Sequence, residues 1–311
     1  MSESIGPMPW PPRPVFRSAG YAAMPRPVEG VVTWNINTTC NYRCSYCTQR
    51  FLDDRRRWLR DGPAFIRGFA KLEGRWEVKI SGGEPFLHPN LMEIVEGLRA
   101  LGHAVSVVTN FSASREKLRA FLDAAGTALR VFSASLHLEY ADSPAEMEAF
   151  IGKAVWTQAQ LPEGASLNVT SVATRANLPR LEAVAELFAA RGLRFKVQPE
   201  KQDREVISYT EDEKRLILRL GGHNGLGELR PSFKGRPCWA GARSFTLDDK
   251  GNAWRCYPAR RYRAQFLGNF LDASFKLAHG PSPCLYAYCN CTVPIERGMM
   301  PRDTGKRGLD A

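Results

Sequence analysis

The chain lacks any apolar run approaching the roughly 18 residues that a membrane helix needs. Its N-terminus also lacks the basic segment and apolar stretch of a secretory signal. A membrane protein or a secreted one is therefore not expected, and the chain reads as cytoplasmic. Histidine is scarce, five in 311 residues. No Ser-His-Asp set and no phosphate-binding loop can be traced, so no acid–base residue is assigned. Acid is short as well: 32 Asp and Glu stand against 43 Lys and Arg, for a formal charge of +11. A basic surface can attract nucleic acid or acidic substrates. Here the arginines are scattered, with local clusters only at Arg55-Arg56-Arg57 and Arg260-Arg261-Tyr262-Arg263. No compact basic stripe or RNA-binding motif supports a nucleic-acid partner. There is no internal repeat, and no cysteine between Cys47 and Cys238.

What is present is ordinary globular material, 44% apolar and 24% charged, in a length that suits one large domain or one domain with a small appendage. Residues 1–27 are proline-rich (Pro7, Pro9, Pro11, Pro12, Pro14), too much so for a helix. They read as an extended arm or an ordered strap. From there strands and helices alternate. Strands are expected at Val31–Asn37, Trp76–Ile80, Ala104–Thr109, Leu129–Ser135, Ser166–Ala173 and Leu193–Gln198. Helices are expected at Pro63–Leu72, Asn90–Leu101, Ser114–Ala124, from Ser143-Pro144 to about Gln160, and from Asn177 or Leu178 to Arg191. Six such units imply an α/β fold with a parallel sheet, a partial (β/α)6 barrel of the TIM type over residues 28–200. In such barrels the chemistry sits at the C-terminal strand ends, and every motif below falls at one. Residues 201–234 read as a helical linker, with Thr210 and Glu213 spaced as a capping box. Residues 235–293 read as a small cysteine-rich extension built on a hairpin around Asp248-Asp249-Lys250-Gly251, and 294–311 as a polar tail.

The eight cysteines fall into two sets, 40, 44 and 47, then 238, 256, 284, 289 and 291. Without a secretion signal they are not expected to form disulfides, and their grouping points to metal. Cys40-x3-Cys44-x2-Cys47 puts three thiolates on one short loop after strand one. They can bind three irons of a cubane and leave the fourth without a protein ligand. Zinc is the alternative, although structural zinc usually takes four ligands and no fourth lies close in sequence; His88 or His137 would have to approach in space.

This loop, with Tyr46 before its third cysteine and Gly82-Gly83-Glu84-Pro85 directly after strand two, resembles the radical S-adenosylmethionine (radical SAM) superfamily over residues 28–200. The resemblance implies a 4Fe–4S cluster on Cys40, Cys44 and Cys47. S-adenosylmethionine binds its open iron and is reductively cleaved to a 5′-deoxyadenosyl radical, which removes a substrate hydrogen. It further implies that Gly82 and Gly83 let the backbone approach that cofactor, that Glu84 accepts from its ammonium, and that Pro85 stiffens the turn. Tyr46 would lie beside the adenine, Asn110 and Ser135 would touch ribose or carboxylate, and Arg175 would pair with the carboxylate. His137 would face the cavity.

The later set, Cys238-x12-Gly251-x4-Cys256 followed by Cys284-x4-Cys289-x-Cys291, resembles the SPASM and twitch extensions of radical enzymes. Five cysteines rather than seven fit the twitch form, with one auxiliary 4Fe–4S cluster. Cys238 and Cys256 are its safest ligands, Cys289 and Cys291 follow by proximity, and Cys284 is the spare. Four-cysteine zinc is the alternative. The resemblance implies oxidation or cross-linking of a peptide, fed by an external electron donor such as flavodoxin or ferredoxin. Residues 1–27 are too few for a leader-binding domain, so a separate leader-peptide-binding protein is expected. The other readings are a small-molecule dehydrogenase or carbon-skeleton enzyme, and a non-catalytic iron–sulfur or zinc protein.

Overall fold

The computed structural model describes residues 28–49, 51, 55–202, 205–221, 228–289 and 297–300. The proline-rich arm, Cys291 and the residues after 300 lie outside the described residues. Strands β1 (Gly30–Asn35), β2 (Trp76–Ser81), β3 (Ala104–Thr109), β4 (Leu129–Ser135), β5 (Ser166–Ala173) and β6 (Phe195–Pro199) pair in chain order, every pair parallel. Helices α1 (Arg55–Phe69), α2 (Leu91–Ala100), α3 (Arg115–Ala125), α4 (Pro144–Ala159) and α5 (Leu181–Ala189) fill the crossovers. A two-stranded ribbon, β7 (Lys201–Gln202) with β8 (Glu205–Val206), and helix α6 (Glu211–Arg219) follow. The α/β partial-barrel architecture is as expected, and the sheet stays open, ending at β6 on one side.

Local chemistry explains the boundaries. Ser143 and Thr210 each close a capping box, with Glu146 and Glu213, a device contributing about 1 kcal/mol per helix. Helix α1 begins at Arg55, not at Pro63, and the proline sits inside it. Its ring costs one backbone hydrogen bond but holds a helical φ. Beyond it, Phe65 and Phe69 pack on Trp34 with ring centroids 4.6 and 5.3 Å away.

Along each strand one face is apolar and packs on the helices: Val32 and Trp34 of β1, Val78 and Ile80 of β2, Val105 and Val107 of β3, Phe132 and Ala134 of β4, Leu167 and Val169 of β5. By the two-residue period the other face carries Thr33, Asn35, Glu77, Lys79, Ser106, Ser133, Ser135, Asn168 and Thr170. The concave face is thus polar.

The C-terminal region holds β9 (Pro237–Cys238), β10 (Ser244–Leu247), β11 (Asn252–Trp254), α7 (Tyr257–Arg261), β12 (Phe266–Asn269) and β13 (Ser282–Pro283). The expected hairpin is β10–β11, turned at Gly251 with φ +84°. It does not stand apart. Strand β10 runs parallel to β1, from Val31↔Ser244 to Trp34↔Leu247, so one sheet of nine strands runs β12-β11-β10-β1 to β6. Phe245 enters the main core beside Trp76 and Phe270, and the β1 edge is covered. The polar tail expected from residue 294 is corrected in part: Arg297, Met299 and Met300 are buried, the methionines against Val31, Phe233 and Cys238. Among the described residues no helix is long and apolar enough to cross a membrane.

Candidate active site

The cysteine loop leaves β1 and is held from two sides. From the β4–α4 connection, Glu139 accepts hydrogen bonds from Ser45 N and Ser45 Oγ, and Tyr140 Oη accepts from Arg43 N at 2.7 Å. The Tyr140 ring stacks on Tyr42 at 3.9 Å. From the β3 end, Asn110 Nδ2 donates to Asn41 Oδ1 at 2.9 Å and points at Cys40 Sγ, 3.8 Å away. Glu139 and Tyr140 carried no sequence motif; their one signal was position, just past the fourth strand's C-terminal end.

Gly82-Gly83-Glu84-Pro85 lies against the same loop, and its residues serve the backbone first. A Cβ on Gly83 would sit 2.0 Å from the Thr39 carbonyl oxygen, and one on Gly82, at φ +147°, 2.5 Å from the Asn37 carbonyl oxygen. Gly83 N donates to Asn37 O at 2.9 Å and Glu84 N to Thr39 O at 2.8 Å. The close approach that requires glycine is therefore to the segment between β1 and Cys40. Gly83→Ala is expected to destabilise the protein by about 1–3 kcal/mol, the usual cost of overpacking, read by denaturant titration of the full chain. Glu84 is fully buried, and both its oxygens are occupied. Oε1 accepts from Phe86 N at 3.0 Å and Thr109 Oγ1 at 2.7 Å, and Oε2 from Asn110 N at 2.7 Å. Burial pushes its carboxyl above the usual range despite these bonds. Glu84 thus ties β2 to β3 in this structure. Pro85 opens a short 3-10 turn, and His88 ends it, accepting from Asn90 N at 3.2 Å.

His137, at the end of β4, does reach the loop. Its Nδ1 lies 2.7 Å from Tyr46 Oη and 3.1 Å from Cys44 Sγ, and its ring stacks on Tyr46. Burial drops its pKa to about 4, so the imidazole is neutral near pH 7 and Nδ1 can accept from the tyrosine. Ser135 is half-buried at the same strand end, in register with Thr170. Arg175 is not gathered with these groups: it is exposed, paired with Glu213 and the Ser208 carbonyl, and lies over the Tyr209 ring.

The donor set suits an iron–sulfur cluster. Cys40 and Cys44 are half-buried, Cys47 is exposed, and all three are free thiols. Burial raises the Cys40 thiol and pushes Cys44 up to about 11. Without a metal the thiols stay protonated, and cationic iron would compensate the buried thiolates. Among the described residues no three Cys, His, Asp or Glu side chains converge as they would around one metal ion.

The second set gathers around the separate two-stranded β9–β13 sheet and the end of β11. Cys238, Cys256, Cys284 and Cys289 line one cavity with Phe233, Arg255 and Tyr286. The structure therefore brings Cys284, the expected spare, to the other three. Arg255 braces the cavity, donating to the carbonyls of Ala240, Cys238 and Ser282 across β9 and β13. Burial pushes the Cys256 thiol up to about 12. The next residue, Tyr257, donates from its hydroxyl to Asn35 Oδ1 at 3.2 Å, and Asn35 also accepts from Ser81 Oγ at 3.1 Å. The second cavity is thus coupled to the ends of β1 and β2, beside the first loop.

Residues 34–158 match the model of the radical SAM superfamily. GTP 3′,8-cyclase of Listeria monocytogenes serotype 4b is 30% identical over 118 residues, 36% of this chain and 35% of the relative. PqqA peptide cyclase of Methylocella silvestris is 30% identical over 162 residues, 50% and 43% of the two chains. The chain thus spans less than half the length of these curated relatives. Streptococcus suis SuiB superposes with a TM-score of 0.55 at 14% identity, over 78% of this chain and 64% of that one. The enzyme anSMEcpe, solved with AdoMet and the Cp18Cys peptide, gives 0.52 at 16% identity, over 78% of each. These solved structures share the fold. The three-cysteine loop, the Gly-Gly-Glu-Pro turn packed on it and the parallel sheet beneath agree with the segment, residues 34–158, that matches the radical SAM superfamily model.

Proposed function

We propose that this chain is a radical SAM enzyme that oxidatively modifies or cross-links a peptide, using a 4Fe–4S cluster on Cys40, Cys44 and Cys47 and an auxiliary 4Fe–4S cluster on Cys238, Cys256, Cys284 and Cys289. The chemistry a loaded first site supplies is reductive cleavage of S-adenosylmethionine and abstraction of a substrate hydrogen. The chain's own residues do the positioning. Glu139, Tyr140 and Asn110 hold the cysteine loop, Glu84 locks the neighbouring turn, and His137 orients Tyr46 toward the cysteines. Asn110, Ser135 and the half-buried backbone of Gly82 and Gly83 would touch the cofactor. The observation that carries the proposal is the four-thiol cavity joined through Tyr257 to the same strand ends, since a net oxidation needs an acceptor for the second electron. PqqA peptide cyclase, which aligns with half of this chain, and SuiB, solved with its precursor peptide SuiA, support a peptide substrate. Electrons would come from an external carrier such as flavodoxin or ferredoxin, and a separate protein would hold any leader segment. A nucleotide is the second reading, favoured by the GTP 3′,8-cyclase matches.

Anaerobic reconstitution tests the pair of sites. The wild-type chain is expected to hold about eight irons and Cys256→Ala about four, one cubane fewer, with reductive release of 5′-deoxyadenosine retained by wild type. Zinc in the second cavity, or four irons in both proteins, would remove the auxiliary cluster from the proposal.

A further inference from the structure

The turn that follows β3 holds a strained residue. Phe111 has φ +62°, and among the described residues only Arg263 and Gln265 share that left-handed region without being glycine. A side chain there costs about 1–3 kcal/mol and persists only where its surroundings over-determine it. Two contacts do so here. The Phe111 ring is fully buried and meets Phe132 and Phe150 edge-on, with centroids 5.8 and 5.2 Å away. Its backbone is fixed from α4: Lys153 Nζ donates to Phe111 O at 2.6 Å and to Ala113 O at 3.2 Å, and lies 4.8 Å over the Phe111 ring. Lys153 is half-buried. An ammonium withdrawn from water is costly unless it is bonded, and this one is spent on two carbonyls of a single turn.

The same turn grips the cysteine loop. Asn41, the residue after Cys40, accepts from Asn110 Nδ2 at 2.9 Å and donates to Ser112 Oγ at 3.0 Å. Asn110 Oδ1 accepts from Ser112 N at 3.0 Å, so the two grips are fastened to each other. The left-handed step at Phe111 lets residues 110 and 112 reach one side chain, and it leaves Asn110 Nδ2 3.8 Å from Cys40 Sγ. We infer that Lys153 is a positioning residue for the first metal site: it clamps the Phe111–Ala113 turn, and the turn holds Asn110 against Cys40. The inference rests on the reading of Cys40, Cys44 and Cys47 as cluster ligands. Hydrogen bonds to cluster sulfurs tune the reduction potential, and an N–H donor favours the more negative, reduced form. Lys153 thereby acts on how readily that site takes up its electron, through the turn and not through its own charge.

Two measurements on the full chain test this. In the metal-free protein, amide hydrogen exchange at residues 110–113 should be about tenfold faster in Lys153→Met than in wild type, the weight of a lost hydrogen bond to a charged group. Exchange in β4 should not change. In the anaerobically reconstituted protein, a redox titration follows by electron paramagnetic resonance the cluster whose signal responds to S-adenosylmethionine. Its reduced-to-oxidised ratio at a fixed potential should fall about threefold in Lys153→Met, a downward shift of about 28 mV for one electron. Lys153→Arg keeps donors for the carbonyls and should show less than half of either effect. Asn110→Ala should give the same downward shift, and adding Lys153→Met to it should change nothing further. Additive shifts would mean that Lys153 acts by its charge alone and would overturn the inference. Unchanged exchange at 110–113, or faster exchange throughout the core with Lys153→Met and Lys153→Arg alike, would overturn it too. A first loop that takes up no iron would instead sink the cluster reading, and the exchange comparison would still decide whether Lys153 fastens the turn.

Discussion

Cys44→Ala is expected to abolish 5′-deoxyadenosine release and to leave the reconstituted protein about four irons short, while the fold survives. Two thiols cannot hold a cubane that three normally ligate, so the loss is complete and not graded. Cys44 is the middle ligand of the loop, with Sγ 3.1 Å from His137 Nδ1, and no other described cysteine stands ready to replace it. The loop's own anchors do not pass through this side chain. Ser45 is bound by Glu139, Arg43 N by Tyr140, and Asn41 by Asn110. Melting of the metal-free variant should therefore match metal-free wild type within about 0.5 kcal/mol, as for a half-exposed substitution away from core packing. The measurement pairs iron analysis with chromatography of the cleavage product. A Cys44→Ala protein that kept its iron and its product would show that the loop is not the cluster site.

How far the sequence led can be judged from particular residues. The strand–helix alternation was legible because each strand shows a two-residue apolar period or a β-branched run and each helix has its own cap or glycine stop. β3, β4 and β5 fall on the residues expected. The cysteine loop and the Gly-Gly-Glu-Pro turn were legible because both are contiguous in the chain. Relations between distant segments were not. Nothing in Ser244–Leu247 announces that it pairs with β1 rather than closing a separate module, since register is set by partners more than 200 residues away. The contacts of Gly83 with the Asn37–Thr39 backbone and of Glu84 with β3 were equally out of view, because those partners lie in distant segments. Arg175 follows β5 as expected, but a capping-box glutamate, Glu213, draws its guanidinium away. Glu77 sat in a correctly placed strand with no role, because the arginine that explains it lies 220 positions on.

That residue carries the other large effect. Glu77→Ala is expected to cost about 3–5 kcal/mol, the toll of breaking a buried ion cluster from one side, against the 5–15 kcal/mol that holds a typical domain. Glu77 is fully buried. Its Oε2 accepts from Arg130 Nη1 at 2.5 Å and Arg297 Nε at 2.8 Å, and its Oε1 from Arg297 Nη2 at 3.0 Å and Ser106 Oγ at 2.8 Å. Without the carboxylate two buried guanidiniums lose the acceptor they share, and the segment Arg297–Met300 loses that anchor on the sheet. Burial by itself would raise the Glu77 carboxyl, but Arg297 and Arg130 outweigh it and hold the group well below the usual carboxylate range. A folded value below the unfolded one stabilises the protein above the ordinary glutamate pKa, about 4.3, and that contribution drains as pH falls toward the folded value. The stability gap between wild type and Glu77→Gln should therefore be constant from pH 7 to pH 5. Below about pH 4 it should narrow by about 1.4 kcal/mol per pH unit. Denaturant titrations across that range measure it. A gap that stayed level down to pH 3 would mean that the carboxylate is not held charged by the two arginines.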